Sequence, residues 1–162
     1  MGRNKGVEIM IRRIGKDKID TIITENTEVL VIVDTSLLMA VGSGRPSFES
    51  LLEVIEGKPI LIIPKTVVNE LEKHYNNSRF SVSSKASLAL AILEKTQVPV
   101  YVLNSSYSSN ADDDIYLLAS NLKNSGFNLI VATVDRELRQ RIKAKGIPVV
   151  YLRRTENRFE LS

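Results

Sequence analysis

The sequence predicts an α/β domain built on a mainly parallel sheet covered by helices on both faces. Three observations carry this. From residue 29 onward, short β-branched runs alternate with longer amphipathic stretches, the pattern of successive strand–helix–strand units. The strand-like runs are continuously apolar rather than alternating, as expected of strands buried on both faces. A chain of 162 residues with 43% hydrophobic content supplies one such core and not two.

The first strand is Val29 to Val33. The turn Gly42-Ser43-Gly44-Arg45-Pro46 follows it, and after Pro46-Ser47 the residues Phe48, Leu51, Leu52 and Ile55 fall at helical spacing, with Gly57 as a stop. Ile60 to Ile63 is the second strand. Thr66 to about His74 is helical, with Val67 and Leu71 on its apolar side, and Lys85 to Lys95 is an alanine- and leucine-rich helix. Val98 to Leu103 is the third strand, and the Ser-, Asn- and Tyr-rich run Asn104 to Asn110 is a loop. Asp112 to Asn124 turns Ile115, Leu118, Ala119 and Leu122 to the core and closes at Gly126. Leu129 to Val134 is the fourth strand. Arg136 to Lys145 carries Leu138 and Ile142 four residues apart and ends at Gly146, and Val149 to Leu152 is a fifth strand. Residues 1–28 read as a basic arm or an extra strand, since Val7, Ile9 and Ile11 alternate weakly. Residues 29–152 form the domain, and 153–162 a basic tail.

Composition excludes several chemistries. There is no cysteine, so disulfides, thiolate catalysis and cysteine-held zinc or iron–sulfur centres are ruled out. The apolar runs are far shorter than the ~20 residues of a membrane-spanning helix, and the N-terminus lacks a continuous apolar h-region. The expectation is a cytoplasmic protein with no membrane partner. The net charge is +3, and it is unevenly spread. Both ends are basic and the middle is acidic, which suits a protein that grips a polyanion by its backbone, although a solvated basic surface has the same composition.

In open parallel sheets the functional crevice lies beyond the carboxyl ends of the strands, and acids recur there. Asp34 and Asp135 end strands, Asp112, Asp113 and Asp114 open a helix, and Glu70 sits in the early turns of another. Singly, each reads as a helix cap, a loop starter or a solvated residue. Together they form a cluster that repels itself unless a cation neutralises it, and oxygen-only ligands point to Mg²⁺ or Mn²⁺. Thr133 shares a strand face with Asp135 and, like Ser36, is a candidate to hydrogen-bond a carboxylate or a phosphate. His74 is the only histidine, so a Ser-His-Asp triad or a zinc site would rest on it alone.

The fragments Val31-Ile32-Val33-Asp34-Thr35-Ser36, Val67-Val68-Asn69-Glu70-Leu71-Glu72, Ala111-Asp112-Asp113-Asp114-Ile115 and Ile130 to Leu138 resemble the PIN-domain family. The likeness runs on to Gly146-Ile147-Pro148-Val149-Val150-Tyr151-Leu152 and so covers about residues 29–152. The last stretch looks most like the PIN endonucleases of small-subunit ribosomal RNA processing. The resemblance implies a three-layer α/β/α sandwich, Mg²⁺- or Mn²⁺-dependent endonucleolytic cleavage of RNA, and frequent homodimerisation. It implies Asp34, Glu70, Asp112 and Asp135 as catalytic metal ligands, with Asp113, Thr133 and Ser36 in support. Asp114 has no counterpart in the family pattern. Arg136, Arg139, Lys143, Arg153 and Arg154 are the candidate RNA-binding residues. A VapC-type toxin ribonuclease and a noncatalytic RNA-binding scaffold are the alternatives. An aspartyl-phosphate phosphatase is disfavoured, because Ser36 stands where that chemistry needs a second acid.

Overall fold

The computed structural model describes residues 11–162. Its strands are β1 (Arg12–Ile14), β2 (Glu28–Val33), β3 (Lys58–Ile63), β4 (Val100–Leu103), β5 (Leu129–Ala132), β6 (Val149–Arg153) and β7 (Arg158–Leu161). Its helices are α1 (Thr35–Gly42), α2 (Phe48–Glu53), α3 (Lys65–Tyr75), α4 (Phe80–Lys95), α5 (Ala111–Asn124) and α6 (Arg136–Ala144), with a 3-10 segment over Lys16–Ile22. The strands form one sheet in the order β1-β4-β3-β2-β5-β6-β7. All pairings are parallel except β6 with β7. Leu30 to Val33 of β2 and the whole of β5 are buried, which explains their unbroken apolar runs.

From β2 the chain builds outward through β3 to β4, then crosses back to β5 and builds the other way to β6. Right-handed crossovers then put the helices of the two halves on opposite faces. The contacts agree: α1, α3 and α4 pack on one another, and α5 packs on α6. The result is a three-layer α/β/α sandwich, and among the described residues no helix is long and apolar enough to cross a membrane. The reversal between β2 and β5 is the topological switch point, where open α/β sheets form their crevice. Register makes it compact: Val33 pairs with Ala132, and the Asp34 N–H donates to the Ala132 carbonyl at 3.0 Å.

The elements depart from the sequence reading in five places. Residues 35–42 are a helix, not the start of a turn region. α4 begins at Phe80 rather than Lys85. β4 begins at Val100, because Pro99 has no N–H to give a ladder, and β5 stops at Ala132, with the Thr133 N–H still donating to the Val150 carbonyl before the chain turns into α6. The segment read as a basic tail from residue 153 instead returns as β7, with Phe159 buried and Leu152 opposite it in the ladder. At the other end, Arg12–Ile14 is a parallel strand on β4, while Val7 and Ile9 lie outside the described residues.

Candidate active site

Asp34 leaves β2 and caps α1, and it is 4% exposed. One carboxylate oxygen, Oδ1, accepts from the Thr35 N–H at 2.8 Å. The other, Oδ2, accepts from the hydroxyls of Ser36 and Thr133, both at 2.7 Å. Those hydroxyls are themselves held, because Ser36 Oγ accepts from the Val134 N–H at 3.2 Å and Thr133 Oγ1 from the Asp135 N–H at 3.0 Å. The Asp34 carboxylate is thus locked to the turn that carries Asp135. Burial pushes its pKa above the ordinary carboxylate range, three hydrogen bonds oppose that, and the Glu70 charge adds to it.

The other acids arrive from three more elements. Glu70 lies on α3 and accepts from the Thr35 hydroxyl, so one Asp-Thr-Ser segment touches two of the acids. Asp135 caps α6 through Oδ1, which accepts from the Leu138 N–H at 2.9 Å, leaving Oδ2 outside the cap. Asp112 lies in the first turn of α5 and is partly buried. Its pKa is raised by burial first, then by the charges of Asp34, Asp135 and Glu70, with Arg141 opposing. All four acids therefore share one field at the carboxyl edge of the sheet. They are neighbours in charge rather than in contact: among the described residues, no three His, Cys, Asp or Glu side chains converge closely enough to hold an ion as they stand. The donor set is nonetheless that of a hard divalent cation, all carboxylate oxygen with hydroxyls behind it.

The neighbours of Asp112 divide sharply. Asp113 points outward and pairs with Arg141 at 2.9 Å. Asp114 turns inward and is 2% exposed, accepting from the Thr66 hydroxyl and the Tyr107 N–H, both at 2.8 Å. It ties α3 and the 104–110 loop to the start of α5. Thr35 and Thr66 went unread from sequence; the first stands inside the Asp-Thr-Ser motif, while the second has no local signal. Asp114→Ala leaves a buried hydroxyl and an N–H without their acceptor and is expected to cost about 2 kcal/mol. Thermal unfolding checks this, with a Tm loss of roughly 4–8 °C.

Five basic residues were expected to meet RNA. Arg136, Lys143 and Arg154 are exposed, and Arg139 lies with its guanidinium 4.2 Å from the Tyr151 ring centroid. Arg153 differs, because it pairs with Glu160 at 2.7 Å and Glu156 at 3.5 Å. Arg158 also bonds Glu160, and hydrogen bonds from Arg153 and Arg158 draw the Glu160 carboxyl down to about 2. The hairpin neutralises Arg153 from within.

A family model, the PIN like domain, matches residues 31–155. The chain belongs to the PIN-like domain family. The match spans β2 through the β6–β7 turn, so every acid described above lies inside it. Among solved structures, one titled "Structure of the PIN domain endonuclease Utp24" shares this PIN-like fold, with a TM-score of 0.58 and 24% sequence identity. The alignment covers 82% of this chain and 90% of that one. Among curated proteins, none matches.

Proposed function

We propose that the protein is a divalent-metal-dependent endoribonuclease acting in RNA processing, with Asp34, Glu70, Asp112 and Asp135 as its metal-binding and catalytic acids. The observation that carries the reading is that Asp34, tied by hydrogen bonds to the turn that carries Asp135, has its pKa raised by burial and the Glu70 charge, while that of Asp112 is raised by burial and by the charges of Asp34, Asp135 and Glu70. Membership of a nuclease-type family and the fold shared with a PIN domain endonuclease support it. A bound Mg²⁺ or Mn²⁺ would supply an activated water and stabilise the departing oxygen of a phosphodiester.

The residues do the rest. Ser36 and Thr133 hold Asp34 in one rotamer, so that its carboxylate stays in place without an entropic cost at each turnover. Asp135 keeps one oxygen outside its helix cap. Thr35 orients Glu70. The basic α6 begins immediately after Asp135 and offers cations to the polyanion's phosphates next to the acids.

Purified protein is expected to cut single-stranded and structured RNA with Mn²⁺ or Mg²⁺ and to stop when the metal is chelated. Ribosomal RNA precursors are the first substrate to try, with product ends mapped. RNA binding without any cleavage in either metal would favour the scaffold reading and remove this one.

A further inference from the structure

Beside the acids a cleft of about 250 Å³ opens between α6 and β6, lined by Asp135, Arg136, Arg139, Tyr151 and Arg154. Arg139 and Tyr151 also line a second cleft of about 470 Å³ that reaches Lys143 and Ser162, so the two clefts adjoin at the Arg139–Tyr151 pair. Asp135 belongs to both the acid group and the mouth of this groove. From Arg136 to Lys143 the helix rises ~10 Å, room for a short run of phosphates. Within the groove, the Tyr151 hydroxyl donates to Glu160 at 3.0 Å and the Arg139 guanidinium covers the ring. Each side chain fixes the other, and the guanidinium edge is left to donate.

The opposite side of the acids is different. α1 and the 104–110 loop carry no basic residue. Lys16 reaches that loop, but its ammonium donates to the Ser106 carbonyl at 3.1 Å and lies 4.3 Å from the Tyr107 ring centroid. Among the described residues, Lys65 at the start of α3 is a further cation on that edge.

We propose that the nucleic acid is held from one side only, by a strand that runs from Asp135 into the α6–β6 groove past Arg139, Tyr151, Arg154 and Lys143. The nucleotides across the cut are left largely ungripped. The proposal rests on the endoribonuclease reading for its substrate and adds a polarity to it. Arg153 is outside the grip because its charge is met by Glu156 and Glu160.

The test uses a fluorescent single-stranded oligouridine, with anisotropy titrations over a salt series in chelator. Arg139→Ala, Lys143→Ala and Arg154→Ala are each expected to bind roughly fivefold more weakly, with the salt slope flattened by ~0.7 per cation removed. Lys65→Ala and Lys16→Ala should match the native protein. With Mn²⁺, mapped cuts in the same oligomer should approach one terminus closely yet stay about three nucleotides or more from the other. Weakening by Lys65→Ala or Lys16→Ala equal to that of Arg139→Ala, or cuts equally distant from both termini, overturns the one-sided grip. If cleavage depends on Asp34 while the groove variants bind normally, the grip is wrong and the nuclease reading stands. If the groove variants bind weakly but nothing is cut, the nuclease reading fails and the grip survives it.

Discussion

Asp34→Asn is expected to lower metal-dependent RNA cleavage by at least ~100-fold while leaving the fold intact. The substitution preserves shape, and the three hydrogen bonds around the side chain tolerate it. The Asn carbonyl oxygen can still accept from the Thr35 N–H, and the Ser36 and Thr133 hydroxyls can rotate from donating to accepting. What disappears is the negative charge at the centre of the acid group. Cleavage assays beside circular dichroism read both halves of the expectation, and full cleavage by the variant would detach Asp34 from the chemistry.

The same variant carries a stability signature of opposite sign. Burial raises the Asp34 pKa above its unfolded value, so the folded state favours the protonated carboxyl. That contribution is fully present below the ordinary carboxylate range and is lost as pH rises through the raised pKa. Above the ordinary carboxylate range and without divalent metal, the buried Asp34 carboxyl therefore weighs against folding, and at neutral pH Asp34→Asn should unfold at a higher temperature than the native protein. Adding Mn²⁺ should raise the Tm of the native protein and leave that of the variant nearly unmoved. A native Tm indifferent to Mn²⁺ would count against a metal at this edge.

Much of this site could be read from sequence because its acids sit where secondary structure changes. Asp34 and Asp135 each follow an apolar run and open a helix, and both features are local. Asp114 escaped because the groups that bury it lie on α3 and in the 104–110 loop, and spacing alone does not distinguish an inward from an outward acid in an Asp-Asp-Asp run. The partners of Arg153 are illegible in the sequence for the complementary reason, since Glu160 meets it only through the β6–β7 hairpin. β7 itself is four residues long with Phe159 as its buried anchor, too brief for an alternation to register. α1 left no helical period because Thr35, Leu37, Leu38, Val41 and Gly42 are all buried, so the segment lacks the exposed polar face that periodicity needs.

Gly42 carries the second large effect, and its expected substitution phenotype is structural. Read as part of a turn, it is the last residue of α1 and lies against the backbone of α4. A Cβ at this position would stand 2.1 Å from the Lys85 carbonyl oxygen and 2.9 Å from its carbonyl carbon. Those are main-chain atoms, so no side-chain rotation relieves the contact. Ala86 and Ala89 on α4 are fully buried, and these small residues belong to the same close approach of helices. Alanine is favoured over glycine in a helix interior by up to ~1 kcal/mol, and less at a last turn. Against that, overpacking with backbone displacement costs about 3 kcal/mol or more, so the clash wins. Gly42→Ala is expected to lower Tm by roughly 6–12 °C. The consequence reaches the acids, because α1 begins at Asp34 and presents Thr35 to Glu70; moving α1 off α4 shifts that pair. Gly42→Ala should therefore lose cleavage at temperatures where it is still folded, and Gly42→Ser should be at least as damaging. An unchanged melting temperature in Gly42→Ala would mean that α1 and α4 do not meet as closely as the 2.1 Å approach requires.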